Sequence, residues 1–182
     1  MKNLTKLFLG LLLAGVVLTG CKEAEELIEV KFPANYEAEL DVTVVPSTSA
    51  KATNGVFSVN ETIDPTSDSD FAKYLNNIRG ITIEEVSGLI LSVEPNITLT
   101  STVITVSNAN HTATWEFTNL PITVGTELTL DNNNGQWDAI EQILLDAEIF
   151  NLSISGQANE ENAKFVVLVS INSEVLANPI SN

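Results

Sequence analysis

Few side chains in this chain of 182 residues could carry out chemistry. It holds one histidine, His111, one cysteine, Cys21, and 24 acids against 8 lysines and arginines. Hydrolytic triads and most acid–base catalysts need an imidazole, a thiolate or an activated serine. His111 opens a threonine-rich run and shares parity with Ala113 and Trp115, the pattern of a partly buried residue at a hairpin end. Gly-x-Ser-x-Gly, His-Glu-x-x-His and a glycine-rich phosphate loop are absent. A glycosidase needs only two carboxylates. Among 24 acids, however, some pair always lies at a suggestive spacing, so the count selects none. The chain reads as non-catalytic and without a cofactor.

Hard cations take oxygen ligands, and two loops offer them. Asp64, Asp68 and Asp70 stand close together ahead of a helical segment and are the candidates for a metal site. Acids at a helix start also cap it and complement its dipole, which is the simpler expectation. Asp131, Asn133, Gly135 and Asp138 suggest a calcium loop, but the spacing fails. An EF-hand places glycine sixth and glutamate twelfth; counted from Asp131, the glycine comes fifth and the twelfth residue is Gln142. Tyr74, Trp115 and Trp137 could stack on a sugar if exposed, yet each falls on an apolar stripe and is assigned to the core.

The elements that would position these residues are mostly strands. Ala38, Leu40, Val42 and Val44 alternate with Glu37, Glu39, Asp41 and Thr43, which predicts a half-buried strand with an acidic outer face. Phe57, Val59 and Ile63 continue the alternation after a polar loop, and adjacency in sequence favours a hairpin between the two. Asp64-Pro65 then starts a helix whose stripe is Phe71, Tyr74, Leu75 and Ile78, with Gly80 as a left-handed end. Strands follow at 81–86 and 89–93, and Glu85-Val86 breaks parity as a bulge would.

Residues 97–106 and 111–117 flank a Ser107–Asn110 turn and form the clearest hairpin. Leu120-Pro121 and Gly125 punctuate a short strand at 126–130. A second helix is expected over 136–147, with Trp137, Ile140, Leu144 and Leu145 as its stripe and a capping-box spacing at Asp138 and Glu141. Phe150, Leu152 and Ile154 mark one more strand. The run 165–171, apolar on both faces, belongs in the middle of a sheet. Short strands at near-regular spacing with two inserted short helices predict a mostly β fold, an antiparallel β-sandwich. The alternative is a partly closed β-barrel capped by the helices.

The amino terminus follows another logic. Lys2 and Lys6 precede an apolar run at 7–18, then Leu18-Thr19-Gly20-Cys21. The run falls well short of the ~20 residues that span a bilayer, and it has the layout of a secretory signal peptide. Its end resembles the lipobox of bacterial lipoproteins. That resemblance implies removal of residues 1–20, a diacylglyceryl thioether on Cys21, and acyl chains such as palmitate anchoring the protein. It covers residues 1–26 only. Lys22 in place of Asp implies sorting to the outer membrane of a Gram-negative bacterium. Lys22-Glu23-Ala24-Glu25-Glu26 is similar to an acidic surface-export signal, and equally suits a soluble linker. Residues 21–35 are read as a tether, with a short helix that Pro33 would end, and 36–182 as one domain. Given an exported bacterial protein, the Asn-x-Ser/Thr triplets at Asn60, Asn96, Asn110 and Asn151 are read as chance matches.

Charge narrows the partners. The net charge is −16, and the segment 1–20 carries only Lys2 and Lys6, so its removal leaves the chain more acidic still. Phosphate binding needs clustered Lys and Arg, and Arg79 is the only arginine, so nucleic acid is not a partner. Membrane contact is expected through the Cys21 lipid rather than a basic face. Two functions remain: a non-catalytic envelope module that binds another protein or a glycan or supports an assembly, and a carrier whose helices cover a lipid or other hydrophobic ligand.

Overall fold

The computed structural model describes residues 29–47 and 54–178. Cys21 and the lipobox, with the remainder of residues 1–28, lie outside them. The described chain runs β1 (Val30–Thr43), β2 (Val45–Pro46), β3 (Gly55–Ile63), α1 (Ser69–Tyr74), β4 (Ile78–Glu94), β5 (Ile97–Ser107), β6 (Thr112–Ile122), β7 (Glu127–Thr129), α2 (Gln136–Leu145), β8 (Phe150–Ala158) and β9 (Lys164–Ala177). Two antiparallel sheets form, a four-stranded one in the order β1-β9-β4-β7 and a five-stranded one in the order β2-β3-β8-β5-β6. The fold is a β-sandwich; each sheet keeps free edges, so no barrel closes.

Alternation accounts for the core. Phe32, Ala34, Tyr36, Leu40 and Val42 of β1 point inward, as do Phe165, Val167, Val169, Ile171 and Val175 of β9. From the other sheet come Ile104, Val106, Trp115, Leu152 and Ile154. They meet in one contiguous cluster between the sheets. Edge-to-face ring pairs tie it across, Phe57 with Phe165 at 5.4 Å and Tyr36 with Phe150 at 6.1 Å.

The two helices are plugs. β7 pairs only Ser87 to Leu89 of β4, so the rest of that edge would lie open. There α2 packs against β4 and β6 and inserts Ile140, Ile143 and Leu144, all fully buried. α1 closes another gap with Phe71, also fully buried, which meets Tyr36 edge-on at 6.3 Å.

Several expectations need correction. β1 begins at Val30, inside the stretch read as tether, and pairs with β9 over its whole length. Pro33 does not end a helix but sits in this edge strand, where a missing N–H disrupts no second ladder. β1 and β3 do not form a hairpin: the chain passes through Val44 into β2 and the other sheet. The first helix is shorter than its stripe suggested, because Ile78 and Gly80 already pair in β4 with Ala177 and Leu176. Gly80 therefore lies in a strand rather than in a left-handed cap. The strands expected at 81–86 and 89–93 are one, β4, whose register shifts between Ile83 and Glu85 beside the parity break. β6 runs on through Pro121, which an edge strand tolerates. In α2 the buried stripe takes Ile143 and leaves Leu145 exposed. β9 is central as expected, but it buries one face only, with Val166 and Leu168 half-buried on the other.

Candidate functional site

The sequence candidates fall into separate places. Asp64 caps the 3-10 turn Pro65–Ser67, accepting from the Thr66 N–H at 2.9 Å and the Thr66 hydroxyl at 2.7 Å. These bonds hold its carboxyl below the usual aspartate value. Asp68 is the N-cap of α1 and accepts from the N–H groups of Asp70 at 3.0 Å and Phe71 at 2.8 Å. Asp70 is exposed in the first turn. The acids of Asp64 and Asp68 thus serve backbone donors, and among the described residues no cluster of three or more His, Cys, Asp or Glu could hold a metal. Tyr36 donates to the Pro65 carbonyl at 3.4 Å, and burial, with the charges of Asp68 and Asp64, raises its phenol far above the ordinary value.

His111 is partly exposed at the start of the β6 hairpin arm, 3.8 Å from Asp146. Asp146 accepts from the side-chain amides of Asn108 and Asn110, which lower its pKa, with His111 adding to the effect. The pair stitches the β5–β6 turn to the end of α2.

The most built part of the surface surrounds the turn between β7 and α2. Trp137 donates its indole N–H to the Leu130 carbonyl at 2.8 Å, and Trp115 donates to the next carbonyl, that of Asp131, at 2.7 Å. The Asn132 carboxamide oxygen accepts from the Trp137 N–H at 2.8 Å, so the loop caps the helix in place of the expected Asp138–Glu141 box. Gln136 adds a bond from the Asn134 N–H to its side-chain oxygen at 2.8 Å. Gly135 turns the chain in the left-handed region at φ 77°. Both tryptophans therefore fix this turn; Trp115 is buried, whereas Trp137 keeps one face at the surface.

That face walls a groove of about 530 Å³ on the outer side of the four-stranded sheet. Its floor is Leu89 and Leu168, flanked by Ser87 and Ser170. The register explains the arrangement: Glu39, Leu168, Leu89 and Glu127 form one row across β1, β9, β4 and β7. Adjacent rows place Glu37 beside Ser170 and Asp41 beside Val166. The result is a half-buried apolar strip between two acidic banks. Glu37, Glu39 and Asp41 of β1 make one bank, beyond the lining of the groove itself; Glu127 of β7 and Asp131 just after it make the other, and Glu85 of β4 closes one end of the strip beside Asn172. Among the described residues the cations of this sheet stand at its ends, Lys31 paired to Glu174 at 2.6 Å, Arg79 next to Gly80 in the same end row, and Lys164 beside Thr43 and Glu94. A second depression of about 440 Å³ lies across the turn, against Phe117, Glu116, Asn133 and Asn134.

Sequence reading found the acidic outer face of β1 and the stripe position of Trp137. It missed the trough, because Leu168 and Leu89 become its floor only through long-range register. No family model matches this chain, and no curated protein does. Solved structures with matching chains include a decameric BFDV capsid protein, at 6% identity and a TM-score of 0.41 over 81% of this chain and 99% of that one. Another is Desmodium yellow mottle tymovirus, at 12% identity and a TM-score of 0.31 over 83% and 91%.

Proposed function

We propose that this chain is a lipid-anchored, non-catalytic binding module of the Gram-negative cell envelope, held to the outer membrane through Cys21. The observation that carries the reading is the sequence Leu18-Thr19-Gly20-Cys21, in which the only cysteine closes an apolar leader. Two or more acyl chains, at about 0.8 kcal/mol per buried CH₂, make such attachment stable. The start of β1 at Val30 adds a spatial consequence. Lys22 to Glu29 can reach at most ~29 Å when fully extended, so the sandwich works close to the membrane. The binding role draws its support from the trough, a recessed apolar surface with a wall held by buried and partly buried tryptophans.

The test is fractionation and protease treatment of intact cells, with Cys21→Ala as the comparison. Wild type in the outer-membrane fraction with Cys21→Ala displaced from it supports the reading. Equal distribution of the two overturns it. Digestion without lysis assigns the domain to the cell surface, and protection until the outer membrane is opened assigns it to the periplasm. A native mass spectrum distinguishes the carrier alternative, which requires a lipid or other apolar ligand bound in addition to the anchor.

A further inference from the structure

We infer that the trough on the four-stranded sheet receives a cationic amphipathic helix of a partner peptide or protein. The inference rests on the reading of the chain as a binding module, though not on its lipid anchor. Three features select this occupant. First, the floor is an apolar strip of Val166, Leu168 and Leu89, suited to the apolar stripe of a helix. Second, the banks lie on β1 and β7, three strand spacings apart, or ~14 Å. An α-helix with its side chains is ~10–12 Å across, so it fits between them, whereas one extended strand would leave a bank unmet. Third, both banks are carboxylates, Glu37, Glu39 and Asp41 of β1 facing Glu127 of β7 and Asp131 just beyond it, while Glu85 of β4 stands at one end of the floor beside Asn172. Lys or Arg side chains flanking an apolar stripe would lie along the sheet and set their charges on the two banks.

Along the strands the part that carries no cation among the described residues runs from the Asn172 row to the Val166 row, about 20 Å at the rise of a strand. That length accommodates a helix of about 14 residues. Trp137 stands on one wall, where its exposed face can cover the apolar side of the helix. Exposed acids elsewhere, such as Glu160 and Glu161 on the β8–β9 turn, have no such floor beside them.

The experiment uses the full chain in dodecylmaltoside solution, which holds it with or without lipid on Cys21, with the detergent alone as the blank. The probe is a lactam-stapled Leu/Lys helix of about 14 residues, alongside a scramble of identical composition. Tryptophan fluorescence, compared between wild type and Trp137→Phe, reports occupancy of the trough. The expected result is saturable binding with a change that requires Trp137, and on the order of tenfold weaker binding of the scramble. Neutralising both banks by Glu39→Gln with Glu127→Gln should weaken binding on the order of tenfold at low salt, and the distal pair Glu160→Gln with Glu161→Gln less than about twofold. Absence of binding overturns the inference. So does equal binding of the scramble, or equal loss in the two paired variants, since either means diffuse attraction to an acidic chain. Cell fractionation decides the anchor and this titration decides the trough, so either can fail alone.

Discussion

Gly156 lies in β8 between Phe57 of β3 and Thr102 of β5, beside the shift that separates the Leu99 and Ser101 pairings. A Cβ on Gly156 would stand 2.0 Å from the Ser101 carbonyl oxygen, 3.0 Å from its carbon and 2.9 Å from the Phe57 ring. The ring can tilt; the carbonyl cannot, because Ser101 is paired on both sides, with Gln157 and with Thr118. Gly156→Ala must therefore push β5 and β8 apart locally. Overpacking costs about 1–3 kcal/mol, and a displaced backbone belongs at the upper end, ~3 kcal/mol. At 2–4 °C per kcal/mol for a chain of this size, Tm should fall by ~6–12 °C. The control is Gly80→Ala, also in a strand, where nothing lies within 4 Å of the added atom. Loss of unfolded-state freedom should leave it unchanged or slightly more stable, within ~1 kcal/mol. Thermal melts by far-UV circular dichroism compare the three chains. If Gly156→Ala melts within ~2 °C of wild type, or if both variants fall alike, the β8–β5 register described here is wrong.

Three further outcomes follow from the same geometry. Asp68→Ala removes the cap on two N–H groups of α1 and should cost about 1 kcal/mol; calcium or a chelator should leave the wild-type Tm unmoved, and a calcium-dependent rise would mean that the acids of 64–70 hold a cation. The Thr102 hydroxyl is buried without a hydrogen-bond partner, so Thr102→Val should be neutral or stabilising by up to ~1 kcal/mol in urea titration, and a clear loss would reveal a bond to that oxygen. Asp64 is held below its ordinary value of 3.8 by the Thr66 hydroxyl and N–H, so its contribution is whole above the unfolded value and fades as pH falls through the lower folded one. The urea-midpoint gap between wild type and Asp64→Ala should therefore be widest above the ordinary value of 3.8 and narrow as pH falls below it, and a gap independent of pH would contradict the assignment.

Much of the fold is legible because alternation is a local signal. The β5–β6 hairpin reads directly from Ala113, Trp115 and Phe117 set against threonines. The apolar run of β9 announces a central strand, and the broken parity at Glu85 announces a register shift. Errors arose where two local signals compete. Phe71, Tyr74, Leu75 and Ile78 keep helical spacing, yet the helix stops at Tyr74 because Ile78 joins the ladder with β9. Phe32 and Ala34 are in phase with Tyr36 and Leu40, but Pro33 and the glutamates before it conceal the strand. The pairing of β1 with β9 leaves no trace in either segment alone, since partners such as Val30 and Ala177 stand at opposite ends of the described chain. The trough inherits that difficulty: the acids of β1 are visible in sequence, while the floor and far bank belong to residues brought beside them by pairing.

The most direct test of the central claim is the intact mass of the protein purified from bacterial membranes. The expected product is a chain that begins at Cys21, lacks residues 1–20, and carries the added mass of a diacylglyceryl group and further acyl chains, all lost in Cys21→Ala. A chain that retains residues 1–20, or one that begins elsewhere with Cys21 unmodified, would contradict it.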